Sequence, residues 1–426
     1  MSQAALPGFR DFYPAELAER AHIMSAWREV ARRYAFVEYD GPPLEPLELY
    51  TRKSGDEIVG QLYNFTDKGD REVALRPEMT PTLARMVAAR ANALRKPVRW
   101  FSIPQLFRYE RQQRGRLKEH FQLNVDIVGE PDVTADAELL AVAIDIMRLL
   151  GLTQADIAAR VSDRQLLGAL LVHAGIPAER HALVHSVVDK LERDPRPVLE
   201  RRLADAGIAA DASERLFEIL GTRDPAGLRR LAGDSRDVAE RLDRFERYLS
   251  YLDALGVREW VRFDLSIVRG LAYYTGIVFE LFDARGQFRA ICGGGRYDTL
   301  LESLGGVDLP ALGFGMGDVV LGELLRDREL MPATAPAVDF WVAGEDEVLL
   351  PDVMRVASRL RERGRSVEYA LRSQTLSRQL KTAVAAGARQ AVLLRGEAFA
   401  RGQATVRSLA DGSERAVHLD EWLATA

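Results

Sequence analysis

Between residues 15 and 35 apolar side chains return every three or four positions: Leu17, Ala21, Met24, Trp27, Ala31 and Tyr34. That period predicts an amphipathic helix. Pro14 suits its first turn, and Glu16 and Glu19 complement the positive end of its dipole. Gly41-Pro42-Pro43 interrupts regular structure, and extended segments follow near 62–66 and 73–75. A helix is expected from Pro81 to Asn92, then strands over 98–109 and 121–128 joined by the polar loop Arg111–Lys118 as a long hairpin.

From Thr153 to about Leu255 the pattern turns helical and rich in Ala, Leu, Arg and Asp, which predicts an inserted helical module. Strand patterns return at 260–268, 274–282 and 287–292 with short connections, so they form an antiparallel meander. Gly293-Gly294-Gly295 is expected to open a helix near Arg296. In Gly313-Phe314-Gly315-Met316-Gly317 the glycines recur at every second position, which leaves one strand face bare for the close approach of a ligand or neighbour. Asp318 is placed to cap the following helix. After the linker 330–336, strand 338–343, helix 347–363, strand 366–370, helix 375–386 and strand 390–394 alternate. A hairpin about Asp411-Gly412 follows, giving a small α/β domain with a largely parallel sheet.

Composition narrows the class. Of 426 residues, 47% are hydrophobic and 28% charged, as in globular proteins with large cores. No run approaches the ~18 apolar residues of a membrane helix, and no secretory leader is visible at the start. A cytoplasmic protein with no membrane association is therefore expected. The single cysteine, Cys292, excludes an internal disulfide and a thiolate metal cluster. His181 and His185 share a helix face without a third ligand and read as a surface pair. The net charge of −5 conceals two basic islands. Residues 95–118 carry eight basic side chains and one acidic; residues 372–395 carry five and none. Two such islands suit two contact points on a polyanion.

Three segments carry candidate chemistry. Phe107-Arg108-Tyr109-Glu110-Arg111, with His120-Phe121-Gln122 and Asp126, sets forked cations beside an aromatic ring and carboxylates, as a nucleotide requires. Arg76-Pro77-Glu78-Met79-Thr80 offers a carboxylate and a hydroxyl that can hold an ammonium group. Val268-Arg269-Gly270-Leu271-Ala272-Tyr273-Tyr274-Thr275-Gly276 gathers a cation and two phenols around turn glycines.

In this order, and together with PGFRDFYP, HFQLNVDIVG and GGGRYDTLLESLGG, these segments resemble the histidyl-tRNA synthetases, class II aminoacyl-tRNA synthetases. The resemblance implies an α+β fold: residues 1–325 as a class II catalytic domain on an antiparallel sheet, with a helical insertion at about 163–250. It further implies a linker at 326–337 and an anticodon-binding α/β domain at 338–426. The implied reaction joins L-histidine to ATP as histidyl-adenylate, with Mg²⁺ on the triphosphate, and passes the histidyl group to the 3′ end of histidine tRNA. A homodimer built partly on the first helix is also implied.

By the same resemblance Arg108 grips the α-phosphate, Arg269 adds a second cation and Glu110 meets the adenine amino group. Phe121 or His120 stacks on adenine, and Arg116 is the candidate to anchor ATP in place of the arginine absent at Val320. Glu78, Met79, Thr80 and Gln122 surround the α-amino group. Asp126 and Tyr274 read the imidazole nitrogens, with Tyr273 and Tyr297 shaping the pocket. Gln112, Gln113 and Arg116 would face the tRNA acceptor end, and Arg378 and Lys381 the anticodon arm. No protein-borne metal cluster is expected. Three features depart from the family pattern: Ala272 stands where an aspartate is usual, Val320 stands where an arginine grips the γ-phosphate, and the aromatic that stacks on adenine is displaced by one position, which leaves both His120 and Phe121 open. The alternative is a catalytically silent paralogue, such as the regulatory subunit of ATP phosphoribosyltransferase.

Overall fold

The computed structural model describes residues 5–54, 60–109, 117–191, 193–267, 273–332 and 338–425 (backbone alone at 52–54). The chain divides into two compact units, Met1–Met331 and Pro332–Ala426.

The first unit is built on one large sheet. From one edge its strands run Val37–Glu38, Val98–Ser102, Glu119–Val128, Ala311–Gly317, Cys292–Arg296, Ile277–Asp283, Ile157–Asp163 and Val261–Phe263, with Gln105–Phe107 also paired to Glu119–Val128. The two edge pairings are parallel and all the others antiparallel. One face carries Leu123, Val125 and Ile127, then Leu312, Phe314 and Met316, then Ile277, Phe279 and Leu281, all buried in one core. Against it lie the helices Pro14–Arg33 and Val133–Leu149. Trp27 is fully buried and its indole N–H points to the Met316 sulfur at 3.2 Å. Side chains of this size, fully buried, contribute about 1.5–3 kcal/mol each, so this face anchors the unit. Asp132 caps the second helix by accepting from the Thr134 N–H at 2.9 Å.

Several sequence expectations shift. The helical module begins at Arg164, because Ile157–Asp163 is a strand paired along its length with Ile277–Asp283. The triple glycine opens no helix: Gly293 to Gly295 lie within strand Cys292–Arg296, and the next helix is Leu300–Gly305. A methyl group on Gly294 would stand 2.5 Å from the Gly313 carbonyl oxygen, so close strand packing requires glycine there. Asp318 is the first residue of its helix rather than its cap. Its carboxylate instead accepts from Arg10 at 2.9 Å and from the Phe121 N–H at 3.0 Å. His181 and His185 are half-buried. Burial lowers the His185 pKa to about 4, with Arg164 and His181 adding to the shift.

The second unit follows the expected alternation. Its five strands lie in the order Val367–Tyr369, Val338–Gly344, Ala388–Leu394, Gln403–Ser408, Glu414–His418, the first three parallel and the last two antiparallel. Helices Leu350–Glu362 and Leu376–Ala385 complete the crossovers. Gly412 turns the final hairpin at φ +75°, a conformation that glycine adopts without strain.

Candidate functional site

The face of the large sheet opposite the first helix is polar at its centre. Along Glu119–Val128 the alternation places Gln122, Asn124 and Asp126 there. In register beside them stand Gly317, Gly315 and Gly313, and beyond these Gly293 and Gly295. The result is a floor without side chains, and the neighbouring groups lean across it. A methyl on Gly313 would overlap the Asp126 carboxylate, and one on Gly315 would stand 2.5 Å from the Gln122 amide nitrogen. On the far side the Tyr274 ring lies against Gly295, its Cδ1 3.0 Å from where a Cβ would sit. Asp126 and Tyr274 thus approach one another from opposite sides of the bare strip.

Asp126 is 5% exposed and accepts a short hydrogen bond from the Tyr297 hydroxyl. Tyr273 packs edge-on against Tyr297 with ring centroids 6.0 Å apart, and lies 5.0 Å from Tyr274. The three tyrosines and the aspartate therefore form one cluster. Burial raises the Asp126 pKa to about 7, although the Tyr297 bond pulls it down; burial and Asp126 both push the Tyr297 phenol well up. Because the folded-state pKa of Asp126 is raised, its contribution to stability is complete below about pH 4 and is lost as pH rises through about 7. Asp126→Asn removes that loss, so its melting temperature should gain on the unmodified protein between pH 5 and 8. A difference that stays constant across this range in thermal scans would contradict the buried, protonatable carboxyl.

Residue 296 organises this cluster from beneath. Arg296 is 1% exposed and pairs with buried Asp136 at 2.5 Å, while also donating to the carbonyls of Glu130 and Asp132. Its own carbonyl accepts from the Thr275 N–H at 2.8 Å. A fully hydrogen-bonded buried guanidinium of this kind fixes the backbone on both sides, here next to Tyr297 and Tyr274. Nothing in the sequence marks Arg296 for this role beyond its place directly before Tyr297.

The second half of the site lies at the other end of Glu119–Val128. Arg108 donates from Nε to the Pro77 carbonyl at 3.0 Å, which ties it to the loop carrying Glu78. Arg76 straps that loop down: it is buried and donates to Asp40 and the Gly41 carbonyl at 2.7 Å and to the Gln105 carbonyl at 3.1 Å. Glu78 and Thr80 are half-buried at the start of helix Thr80–Ala89, whereas Met79 is fully buried with its sulfur beside Arg76. The Met79 side chain is therefore part of the packing beneath this loop. The Gln122 amide donates to Asn124 at 2.8 Å.

Parity puts the two aromatic candidates on opposite faces of the strand. His120 shares the face of Gln122, with ring nitrogen and amide oxygen 3.4 Å apart, and burial together with Arg108 lowers its pKa to about 4. It is a neutral ring beside Arg108. Phe121 points to the opposite face, where the Arg20 guanidinium lies 4.3 Å from its ring centroid and Phe12 packs edge-on. The expected stacking role of Phe121 therefore conflicts with its orientation. Arg10, also overlooked in the sequence, pairs with buried Glu119 at 2.6 Å and with Asp318, and so pins the beginning of this strand. Val320 packs partly buried against the core. Glu110, Gln112, Gln113 and Arg116 lie outside the described residues, as do Arg269 and Ala272. Among the described residues no group of three or more His, Cys, Asp or Glu side chains could hold a metal. None of their helices is long and apolar enough to cross a membrane.

In the second unit Arg378 and Lys381 are exposed on helix Leu376–Ala385, whose Gln379 turns inward and donates to the Gly344 carbonyl at 2.8 Å. Lys381 borders a cleft of about 560 Å³ with Leu376, Leu380 and Val384.

A mixed, mainly antiparallel sheet carrying this polar strip thus makes up one unit of the chain, and a small α/β sheet domain makes up the other. A family model described as histidyl-tRNA synthetase matches residues 8–317, and one described as anticodon binding domain matches residues 338–425. The chain belongs to the histidyl-tRNA synthetase family, and its activity is that of a histidine–tRNA ligase. It is 44% identical to the histidine–tRNA ligase of Opitutus terrae over 96% of this chain and 94% of that one. It is 41% identical to the chloroplastic/mitochondrial histidine–tRNA ligase of Arabidopsis thaliana, over 97% and 85% respectively. The fold is that of a histidyl-tRNA synthetase structure from Nostoc sp. PCC 7120, with a TM-score of 0.86 at 22% identity over 100% of this chain and 99% of that one. Because relatives matched along most of their length are ligases, the silent-paralogue alternative is set aside.

Proposed function

We propose that histidine lies on the glycine floor with its imidazole between Asp126 and Tyr274, and that ATP lies toward Arg108 and His120. The observation that carries this reading is the pair of side chains leaning over Gly313 and Gly295 from opposite sides. An imidazole offers one N–H donor and one acceptor nitrogen, and a carboxylate with a phenol matches that pair. A pocket that pairs both nitrogens rejects amino acids lacking them by about 10⁴ in favourable cases. Glu78, Thr80 and Gln122 are suited to the α-amino group, which brings the carboxylate toward Arg108. There it attacks the α-phosphorus and pyrophosphate leaves. This step needs positioning and charge neutralisation rather than a covalent catalyst, so Arg108 and Arg269 act on the charge that develops on phosphate oxygens. The neutral His120 ring offers adenine a stacking face, and Glu110 would accept from its amino group. Magnesium would enter with the nucleotide substrate, because it characteristically keeps waters and binds through phosphate oxygens. The ribose hydroxyl at the 3′ end of histidine tRNA then takes the histidyl group. In the same reading the enzyme is a cytoplasmic homodimer.

The amino-acid assignment is tested by ATP–pyrophosphate exchange with each of the twenty amino acids: histidine alone should support it, and Asp126→Ala should abolish that preference. Equal exchange with another amino acid would defeat the pocket assignment. The tRNA assignment has its own test. Replacing Arg378 and Lys381 by alanine should raise the KM for histidine tRNA by about tenfold, the loss of two phosphate contacts, with histidine-dependent exchange unchanged. An unaltered tRNA KM would remove these residues from the anticodon contact.

A further inference from the structure

The segment that carries Tyr274 is held on its outer side by the helical stretch that interrupts the sheet. Three successive carbonyls are captured there by two residues. The Tyr274 carbonyl accepts from Arg164 Nη1 at 3.2 Å, the Thr275 carbonyl from Gln165 Nε2 at 3.0 Å, and the Gly276 carbonyl from the Arg164 backbone N–H at 3.0 Å. Arg164 and Gln165 open helix Arg164–His173, whose N-terminus is capped by buried Asp163 accepting from the N–H groups of Gln165 and Leu166.

The cap and the second capturing residue are in turn held by one face of helix Arg236–Ala254. Arg241 donates to the Gln165 amide oxygen at 3.2 Å, and Arg244 pairs with Asp163 at 3.1 Å. Spaced three apart, these two arginines project from the same face of their helix. The Gln165 side chain is thus a two-ended link: its oxygen is fixed by Arg241 and its N–H₂ is delivered to the backbone directly after Tyr274. On the inner side the Thr275 N–H donates to the Arg296 carbonyl at 2.8 Å, and its side-chain hydroxyl donates to Asp298 at 3.1 Å. A displacement of Gln165 would therefore appear as a displacement of Tyr274 on its glycine floor.

We infer that Gln165, oriented by Arg241, is a positioning residue for the histidine pocket, so that the last helix of the insertion sets the affinity for the amino acid. This rests on Tyr274 lining that pocket. Among the described residues the printed bonds of Gln165 and Arg241 reach no group assigned to the nucleotide, Arg108 included, so the expected signature is selective. Gln165→Leu keeps the side-chain volume and loses both bonds. It should raise the KM for histidine in ATP–pyrophosphate exchange by about tenfold, equivalent to about 1.4 kcal/mol. The KM for ATP and kcat should stay within about twofold. Arg241→Met, which acts from the solvent side without touching residue 275, should raise the histidine KM severalfold, and Arg241→Lys, which keeps a donor, should restore most of it. A melting temperature within about 2 °C of the unmodified enzyme shows that each variant is folded.

The inference is overturned if folded Gln165→Leu leaves the histidine KM unchanged, or if KM for both substrates and kcat deteriorate together as in a general loss of structure. Should Gln165→Leu not fold, the Arg241→Met and Arg241→Lys pair decides by the same criteria. Tyr274→Phe separates this inference from the reading beneath it. If Tyr274→Phe raises the histidine KM and the Gln165 and Arg241 variants do not, the link alone fails. If Tyr274→Phe also has no effect, the pocket assignment itself is wrong.

Discussion

Arg108→Ala should lower histidine-dependent ATP–pyrophosphate exchange by about 10³-fold in kcat, with the histidine KM changed little. The magnitude is that of removing a preorganised donor aimed at charge that appears in the transition state, about 2.7–4 kcal/mol. Arg108 is preorganised in this sense, because its Nε is already engaged by the Pro77 carbonyl and the loop bearing that carbonyl is strapped by buried Arg76. Arg108→Lys should recover little of the loss. An ammonium on a flexible stem can neither keep the Nε bond nor present a planar fork. A kcat within tenfold of the unmodified enzyme for the alanine variant would place the phosphate elsewhere.

The second large effect comes from a single methyl group. Gly313→Ala puts a Cβ into the space now taken by the Asp126 carboxylate. Asp126 cannot retreat freely, since Tyr297 holds it and the Val125 carbonyl lies 2.8 Å from the same Cβ position. The carboxylate must move by the order of an ångström, and misplacement of that size costs about 10²-fold. The loss should fall on the histidine KM, with that for ATP unchanged, in steady-state exchange kinetics. Ala311→Gly on the same strand provides the control, because it adds no atoms to the floor. Equal KM values for Gly313→Ala and the unmodified enzyme would mean that the glycine strip does not border the amino acid.

Much of this site could be read along the chain because strand parity is written into it. The glycines at 313, 315 and 317 announced a bare face, and the alternation of Gln122, Asn124 and Asp126 with Leu123, Val125 and Ile127 put the polar residues on that same side. Parity also separates His120 from Phe121, one residue apart and on opposite faces. What remained hidden depends on partners far away in sequence. Ile157–Asp163 has the alanine-rich look of a helix and becomes a strand only because Ile277–Asp283 pairs with it. The triple glycine resembled a turn into a helix, yet the approach of Gly313 from the neighbouring strand keeps it extended. Arg296 and Arg10 are ordinary cations in the sequence. Asp136 gives the first its role, and Glu119 and Asp318 give the second its own.

Where one small molecule binds decides the arrangement of this site. In a crystal structure of the complex with a hydrolysis-resistant histidyl-adenylate analogue, the imidazole should lie over Gly313 and Gly295 within hydrogen-bonding distance of both Asp126 and Tyr274. The linkage that replaces the α-phosphate should lie against the Arg108 guanidinium, and the adenine should stack on His120. An analogue bound on another face of the sheet, or an imidazole facing neither Asp126 nor Tyr274, would contradict it.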